Sequence, residues 1–209
     1  MQIKKFRHSC LELTIDNQSI VIDPGGWSTD FIAHSGIIGV IITHEHGDHF
    51  DQVQLGGIIA QNPDVKIYAP AGIIEQLNDS RHSHIVAAND HIYCCPFSLD
   101  FVGGTHETIH PDYPVPDNVG VIVNDGELYY PGDSFFAPEE YSVKTLAVPA
   151  SAPWMKMSEA MDFITTLRPQ LYFLTHDALL SNEGYELANN WLARAADTVD
   201  AKPLNVRSR

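Results

Sequence analysis

Apolar residues fall along this chain mostly in short β-branched runs that end at turn-forming residues. Leu11, Leu13 and Ile15 alternate with polar residues, Asp16-Asn17-Gln18 breaks the run, and Ser19-Ile20-Val21-Ile22 returns before Asp23-Pro24-Gly25-Gly26. That pattern predicts a β-hairpin with a sharp stop. Ile37-Ile38-Gly39-Val40-Ile41-Ile42 is a short apolar run containing a glycine, which predicts a buried strand. Further strands are expected at 65–68, 84–86, 91–94, 97–102, 118–123, 127–130, 143–148 and 171–174, with Asn124-Asp125-Gly126 as a hairpin turn. Spacing near 3.6 predicts helices over 51–60, 71–77, 158–167 and 182–196. Ser158 is the expected N-cap of the third helix, and Tyr185, Leu187, Ala188, Trp191 and Leu192 are the expected core face of the fourth. The tail 197–209 carries no readable pattern. Strands and helices recur in both halves, which favours a layered α/β or α+β sandwich over a Rossmann alternation. No linker or low-complexity segment divides residues 1–209, so one domain is expected.

Composition adds exclusions. The 209 residues carry a formal charge of −15 with only 12 Lys and Arg, the wrong balance for a partner recognised through phosphates. No nucleic-acid partner is expected. No run approaches the ~18 apolar residues of a membrane span, and the basic start lacks an apolar stretch behind it. Cys10, Cys94 and Cys95 form no framework of separated pairs and read as reduced thiols. The expectation is a cytoplasmic protein without a membrane partner, acting on a small molecule; a homo-oligomer stays open.

The densest chemistry lies in Thr43-His44-Glu45-His46-Gly47-Asp48-His49-Phe50-Asp51. Residues two apart on an extended chain project to the same side, so His44 and His46 reach one ion together. Gly47 allows a turn, after which Asp48-His49 offers a second donor pair. A solvated histidine loop is the bland alternative, and four such donors directly after a buried strand outweigh it. Other apolar runs also end in metal-type residues: Val21-Ile22 at Asp23, Phe101-Val102 at His106, Leu128-Tyr129-Tyr130 at Asp133, and Tyr172-Phe173-Leu174 at His176. Loops at strand ends converge on one sheet edge, which makes His106, Asp133 and His176 the natural partners of the histidine motif.

Taken together, Asp23, His44-x-His46-x-Asp48-His49, His106, Asp133 and His176 resemble the five-motif signature of the metallo-β-lactamase superfamily. The resemblance implies an α+β fold, the four-layer αβ/βα sandwich, with the metals in a cleft at one edge. It implies two divalent ions, zinc first and manganese or iron as alternatives. His44, His46 and His106 would hold one ion, Asp48, His49 and His176 the other, and Asp133 would bridge both. Arg7-His8-Ser9-Cys10, Asn118-Val119-Gly120, Pro131-Gly132-Asp133-Ser134 and Ala152-Pro153-Trp154 are similar to the small bacterial hydrolases related to ascorbate-6-phosphate lactonase. The implied reaction is hydrolysis of a small ester, lactone or phosphoester by a hydroxide shared between the ions, with Asp48 orienting it or passing its proton. Catalytic candidates are therefore Asp48, Asp133 and, lining the cleft, His8.

The remaining candidates rank lower. Asp23 is expected to orient the histidine loop without ligating. His110, Asp112 and Asn118 divide between substrate-side roles and a turn, Trp154 and Lys156 between a cleft wall and packing, and Asp51 reads as a helix cap. Asp177 adjoins His176 without further support. Nothing ties His34, His82, His84 or His91 to the site. No Gly-x-Ser-x-Gly elbow, cysteine–histidine nucleophile or Walker loop competes. The rival functions are an iron-dependent redox enzyme on the same scaffold, a nuclease-type phosphodiesterase, and a binding module that has kept the fold.

Overall fold

The computed structural model describes residues 1–77 and 82–206. In chain order its elements are β1 (Gln2–Lys5), β2 (Leu11–Ile15), β3 (Gln18–Ile22), β4 (Ile37–Ile41), α1 (Gln52–Gln61), β5 (Lys66–Ala69), α2 (Ala71–Ile74), β6 (Ser83–Ile85), β7 (His91–Cys94) and β8 (Phe97–Gly103). There follow β9 (Val119–Val123), β10 (Leu128–Tyr130), β11 (Thr145–Pro149), α3 (Met157–Leu167), β12 (Leu171–Thr175), α4 (Asn182–Asp197) and β13 (Lys202–Pro203). They build two sheets, one ordered β1-β2-β3-β4-β5-β6 and the other β13-β12-β11-β10-β9-β8-β7. In each sheet antiparallel hairpins occupy one side and parallel strands the other.

Alternation along single strands explains the layering. In β3, Ile20 and Ile22 enter a core shared with the second sheet, while Val21 enters a core under α1 and α2. In β12, Phe173 faces the shared core, and Tyr172 and Leu174 face the core under α3 and α4. Three cores between helices, sheet, sheet and helices make the expected four-layer sandwich. A strand buried on both faces has no polar side, which is why β4 and β12 read as unbroken apolar runs.

Local signals account for most boundaries. The β2–β3 turn uses Asp16 and Asn17 at φ 48° and 65°, the left-handed pair that a tight hairpin requires. Asp51 caps α1, accepting Gln54 N–H at 2.8 Å. Two expectations need correction. Ser158 lies inside α3, whose cap is Lys156: its N–H donates to Glu159 Oε2 at 2.6 Å and its carbonyl accepts Glu159 N–H at 3.0 Å. On α4 the buried face is Ala188, Leu192, Ala195 and Ala196, leaving Leu187 61% and Trp191 42% exposed. Two small residues at the end of the helix let it sit close to α3, so the stripe is narrower than its large apolar residues imply. Strands β1 and β13 gave no signal in the pattern. The second expected helix ends at Ile74, short of Leu77.

Candidate metal centre

The functional side chains leave the ends of five strands, four of the proposed ligands after one of them. Asp23 follows β3, Thr43 and His44 follow β4, His106 follows β8, Asp133 follows β10, and His176 follows β12. Three site residues other than glycine sit in the left-handed region: His8 at φ 66°, Asp23 at 50° and His176 at 56°. Such backbone is costly and is held only where the surroundings over-determine it.

The structure brings all seven expected residues together in two groups. One comprises His44, His46, His106 and Asp133; the other comprises Asp48, His49, His176 and additionally His8; in each group the donor atoms lie within 4.8 Å of one another. Asp133 lies between the groups. Its Oδ2 is 3.3 Å from His106 Nε2 and 3.2 Å from His176 Nε2, and its Oδ1 is 3.1 Å from His49 Nε2.

Hydrogen bonds behind the rings set which nitrogen points inward. Thr43 Oγ1 donates to Asp23 Oδ2 at 2.7 Å and accepts His44 Nδ1–H at 3.0 Å. His49 Nδ1–H donates to Asp23 Oδ2 at 2.6 Å, His106 Nδ1–H to the Glu107 carbonyl at 2.5 Å, and His176 Nδ1–H to the Ser151 carbonyl at 2.6 Å. Four rings thus carry the Nδ1 proton outward and aim Nε2 at the centre, the tautomer that a metal-binding histidine needs. His44 Nε2, His106 Nε2, His176 Nε2 and Asp133 Oδ1 are buried and crowd around the centre without an aligned hydrogen bond. Buried acceptors are normally satisfied, and divalent cations would satisfy these. The donor set fits two metal ions.

His8 belongs to the group without the character of a ligand. Its Nδ1 accepts Ala178 N–H at 3.3 Å, which places the proton on Nε2, and Nε2 donates to Asp48 Oδ2 at 2.9 Å. Both nitrogens are committed. Burial pushes its pKa down to about 4 despite the Asp48 bond, so the ring is neutral. Its place is as a donor that holds Asp48.

Asp23 plays the expected orienting part more fully than predicted. It is completely buried, and besides His49 and Thr43 Oγ1 it accepts Thr43 N–H at 2.8 Å and the Tyr130 hydroxyl at 2.9 Å. Gly25 is required nearby, because a Cβ there would meet the Asp48 carbonyl oxygen at 1.9 Å. Asn118 is neither a turn residue nor a substrate contact. Buried, it accepts Asp133 N–H at 3.0 Å and donates to the Pro131 carbonyl at 3.0 Å, bracing the Asp133 loop. Trp154 does more than pack: Nε1–H donates to Asp133 Oδ2 at 2.8 Å. An isolated tryptophan announces no such bond. His110 and Asp112 form an exposed local turn, and Lys156 is exposed at its cap. Asp177 forms a buried ion pair with Lys5 at 3.0 Å. His34 pairs with Glu12 and His91 with Asp100, both at the surface and outside the two groups.

The two groups differ electrostatically. Burial and the neighbouring His49 hold His44 well below the ordinary imidazole pKa. Burial and His106 lower His46 as well. In the other group burial opposes charge, but Asp133 and then Asp23 outweigh it and hold His49 well above its usual value. His176 is likewise pushed up to about 9 against burial, by Asp133 and Asp48. Both carboxylates are held low against burial, Asp133 chiefly by His49 and Asp48 chiefly by its bonds to His176 and His8.

Comparison with known proteins agrees with this fold. The family described as Beta-lactamase superfamily domain matches residues 2–176. The chain is 35% identical over 185 residues to Protein Rv0786c of Mycobacterium tuberculosis, covering 87% of this chain and 86% of that one. A crystal structure from Parabacteroides distasonis superimposes with a TM-score of 0.78 at 22% identity, over 97% of this chain and 90% of its own. Igni18, a metallo hydrolase of Ignicoccus hospitalis, gives 0.73 at 20% identity, over 97% and 93%.

Proposed function

We propose, from the premise that this chain belongs to the beta-lactamase superfamily, that it is a hydrolase with two divalent metal ions, acting on a small ester, lactone or phosphoester. The observation that carries the reading is the convergence of buried metal-type atoms from His44, His106, His176 and Asp133 between two groups, with Asp133 of one also facing His49 and His176 of the other. His44, His46 and His106 would hold one ion, Asp48, His49 and His176 the second, and Asp133 both. Zinc is the first expectation, with manganese or iron next. Bound there, such ions supply Lewis-acid polarisation of the scissile oxygen and a lowered pKa for water.

The chain's own part is positional. Asp23 fixes His49 directly and His44 through Thr43, so one carboxylate sets two rings across both groups. His8 locks one oxygen of Asp48, leaving the other to orient a nucleophile or accept its proton. Trp154 and Asn118 hold Asp133 from its side chain and its backbone. Among the described residues no helix is long and apolar enough to cross a membrane.

The test is elemental analysis of purified protein alongside hydrolysis of an activated ester, a lactone and a phosphodiester. About two ions per chain and turnover lost on chelation are expected. Full activity in metal-free protein overturns the reading. An iron content with oxygen-dependent turnover, and no hydrolysis, would favour the redox alternative.

A further inference from the structure

The wall of the site says what kind of molecule reaches it. A cavity of about 440 Å3 opens against the half of the site that holds His46 and His106, and those rings form part of its lining. Opposite them stands the connection between β8 and β9, which contributes Ile109, Tyr113 and Val115 together with Pro114 and Pro116. Ile109 is 47%, Tyr113 67% and Val115 41% exposed. Apolar side chains that face water around a cleft gain by being covered. The wall is anchored at its base, where His106 N–H donates to the Pro116 carbonyl at 3.1 Å and Gly104 N–H to the Asn118 carbonyl at 2.9 Å. Its prolines limit backbone freedom further.

Charge narrows the occupant. Among the described residues, the charged side chains lining the cavity are carboxylates, Glu45 and Glu107, and neither Lys nor Arg lines it. Glu107 accepts Phe135 N–H at 3.3 Å, while Glu45 is exposed. A phosphate or carboxylate seated against this wall, away from the proposed ions, meets the like charge of Glu45 and Glu107. An uncharged alkyl or aryl group instead covers Ile109, Tyr113 and Val115 and strands no polar group. The cavity falls within the ~300–1,000 Å3 of small-molecule pockets. Beside the other group of the site, Trp27, 40% exposed, packs edge-on against His8 at 4.8 Å between ring centroids.

We propose, resting on the hydrolase reading above, that this cavity receives the uncharged apolar part of the substrate, an alkyl or aryl group on an ester or lactone, and discriminates against substrates carrying an anion on that part. Ile109, Tyr113 and Val115 are the specificity-determining residues.

The experiment uses the metal-loaded chain with p-nitrophenyl esters from acetate to octanoate, the anionic mono-p-nitrophenyl glutarate, and calorimetric binding of the unreactive ketones 2-butanone and 2-decanone. The expected kcat/KM rises about threefold per added methylene until the cavity is filled. The glutarate should run at least about tenfold below the neutral pentanoate, and 2-decanone should bind more than about tenfold tighter than 2-butanone. Tyr113→Asp and Ile109→Asp, both at exposed positions, should flatten the chain-length series and the ketone preference. Val53→Asp, on the exposed face of α1 at 84% exposure, should leave both slopes intact. If no ester is turned over yet the ketone preference and its loss in Tyr113→Asp persist, the hydrolase reading fails and the pocket stands. Ester turnover that is flat with chain length, or faster for the glutarate, overturns the pocket. A dimer in solution that Tyr113→Asp dissociates would also overturn it, by making this face an interface between copies.

Discussion

The two halves of the site use the same donor chemistry at different proton cost. In the half built on His44, His46 and His106, the outward Nδ1 protons of His44 and His106 go to uncharged oxygens, and burial keeps His44 neutral. Those nitrogens are ready for a cation. In the half built on Asp48, His49 and His176, two rings hold protons on account of the carboxylates around them. Without metal, that half neutralises itself. A cation entering it must displace protons, because a protonated imidazole has no lone pair to give. The first half should therefore fill first, and the second half's filling should be steeply pH-dependent.

Asp133 is where the comparison breaks most easily, since it serves both halves. Asp133→Ala should lower kcat/KM by about a thousandfold or more and reduce the metal content of both halves, measured by elemental analysis and steady-state kinetics. If only one ion is lost, the carboxylate belongs to one half and does not bridge. Asp23→Ala comes next. It removes the acceptor for His49 Nδ1–H, Thr43 N–H and the Tyr130 hydroxyl in a fully buried place, so metal affinity should fall about 10- to 100-fold and thermal stability should drop. The half holding His49 should suffer more, because His44 feels Asp23 only through Thr43. Equal loss from both halves would erase the distinction.

These effects indicate why the site was more legible than its supports. The proposed ligands ended apolar runs, and a strand end is visible in one dimension. Residues 43–51 combined a buried strand with donors at period two, so both fold and chemistry left the same mark. His8 and Trp154 act through one nitrogen each, and nothing in their neighbourhoods distinguishes a ring that donates to Asp48 or Asp133 from one that packs. Asn118 was misjudged because a Pro-rich loop precedes it, whereas the residue itself is buried next to β9. The fold was read for a similar reason: strands between two cores leave unbroken apolar runs, while the narrow contact face of α4 depends on how closely it meets α3. Of the expected face, Ala188, Leu192 and Tyr185 meet the core, while Leu187 and Trp191 fall outside it.

The proton difference gives a prediction of intermediate size. His176 holds its proton up to about pH 9 in the metal-free protein, so zinc binding to its half must release it at neutral pH. With the His49 proton released as well, affinity there should climb about a hundredfold per pH unit from neutrality toward that value, a factor of about ten for each proton. The first half should be much flatter. The same shift fixes a sign for metal-free stability: the contribution of charged His176 is complete below the ordinary imidazole pKa of 6.5 and disappears as pH rises through about 9. Calorimetry in buffers of different ionisation heat would count the released protons. Equal proton release for the first and second ions would show that the halves do not differ in this way.

Trp154→Phe should have the smallest effect and the most diagnostic pattern. Phenylalanine keeps most of the ring that packs against Phe135 at 5.1 Å between centroids, and it removes the indole N–H that reaches Asp133 Oδ2 at 2.8 Å. The lost bond is to a charged acceptor, worth about 1.5–3 kcal/mol net. Metal neutralises the same oxygen, so the loss in the loaded protein should be nearer tenfold in kcat/KM or less. Because Asp133 serves both halves, affinity should weaken modestly and evenly for the two ions, unlike the lopsided loss from Asp23→Ala. An uneven loss after Trp154→Phe would mean that Oδ2 belongs to one half alone. A normal metal content with kcat reduced more than KM would instead place the indole's contribution in the reaction itself, holding the carboxylate still while the substrate's oxygen takes up charge.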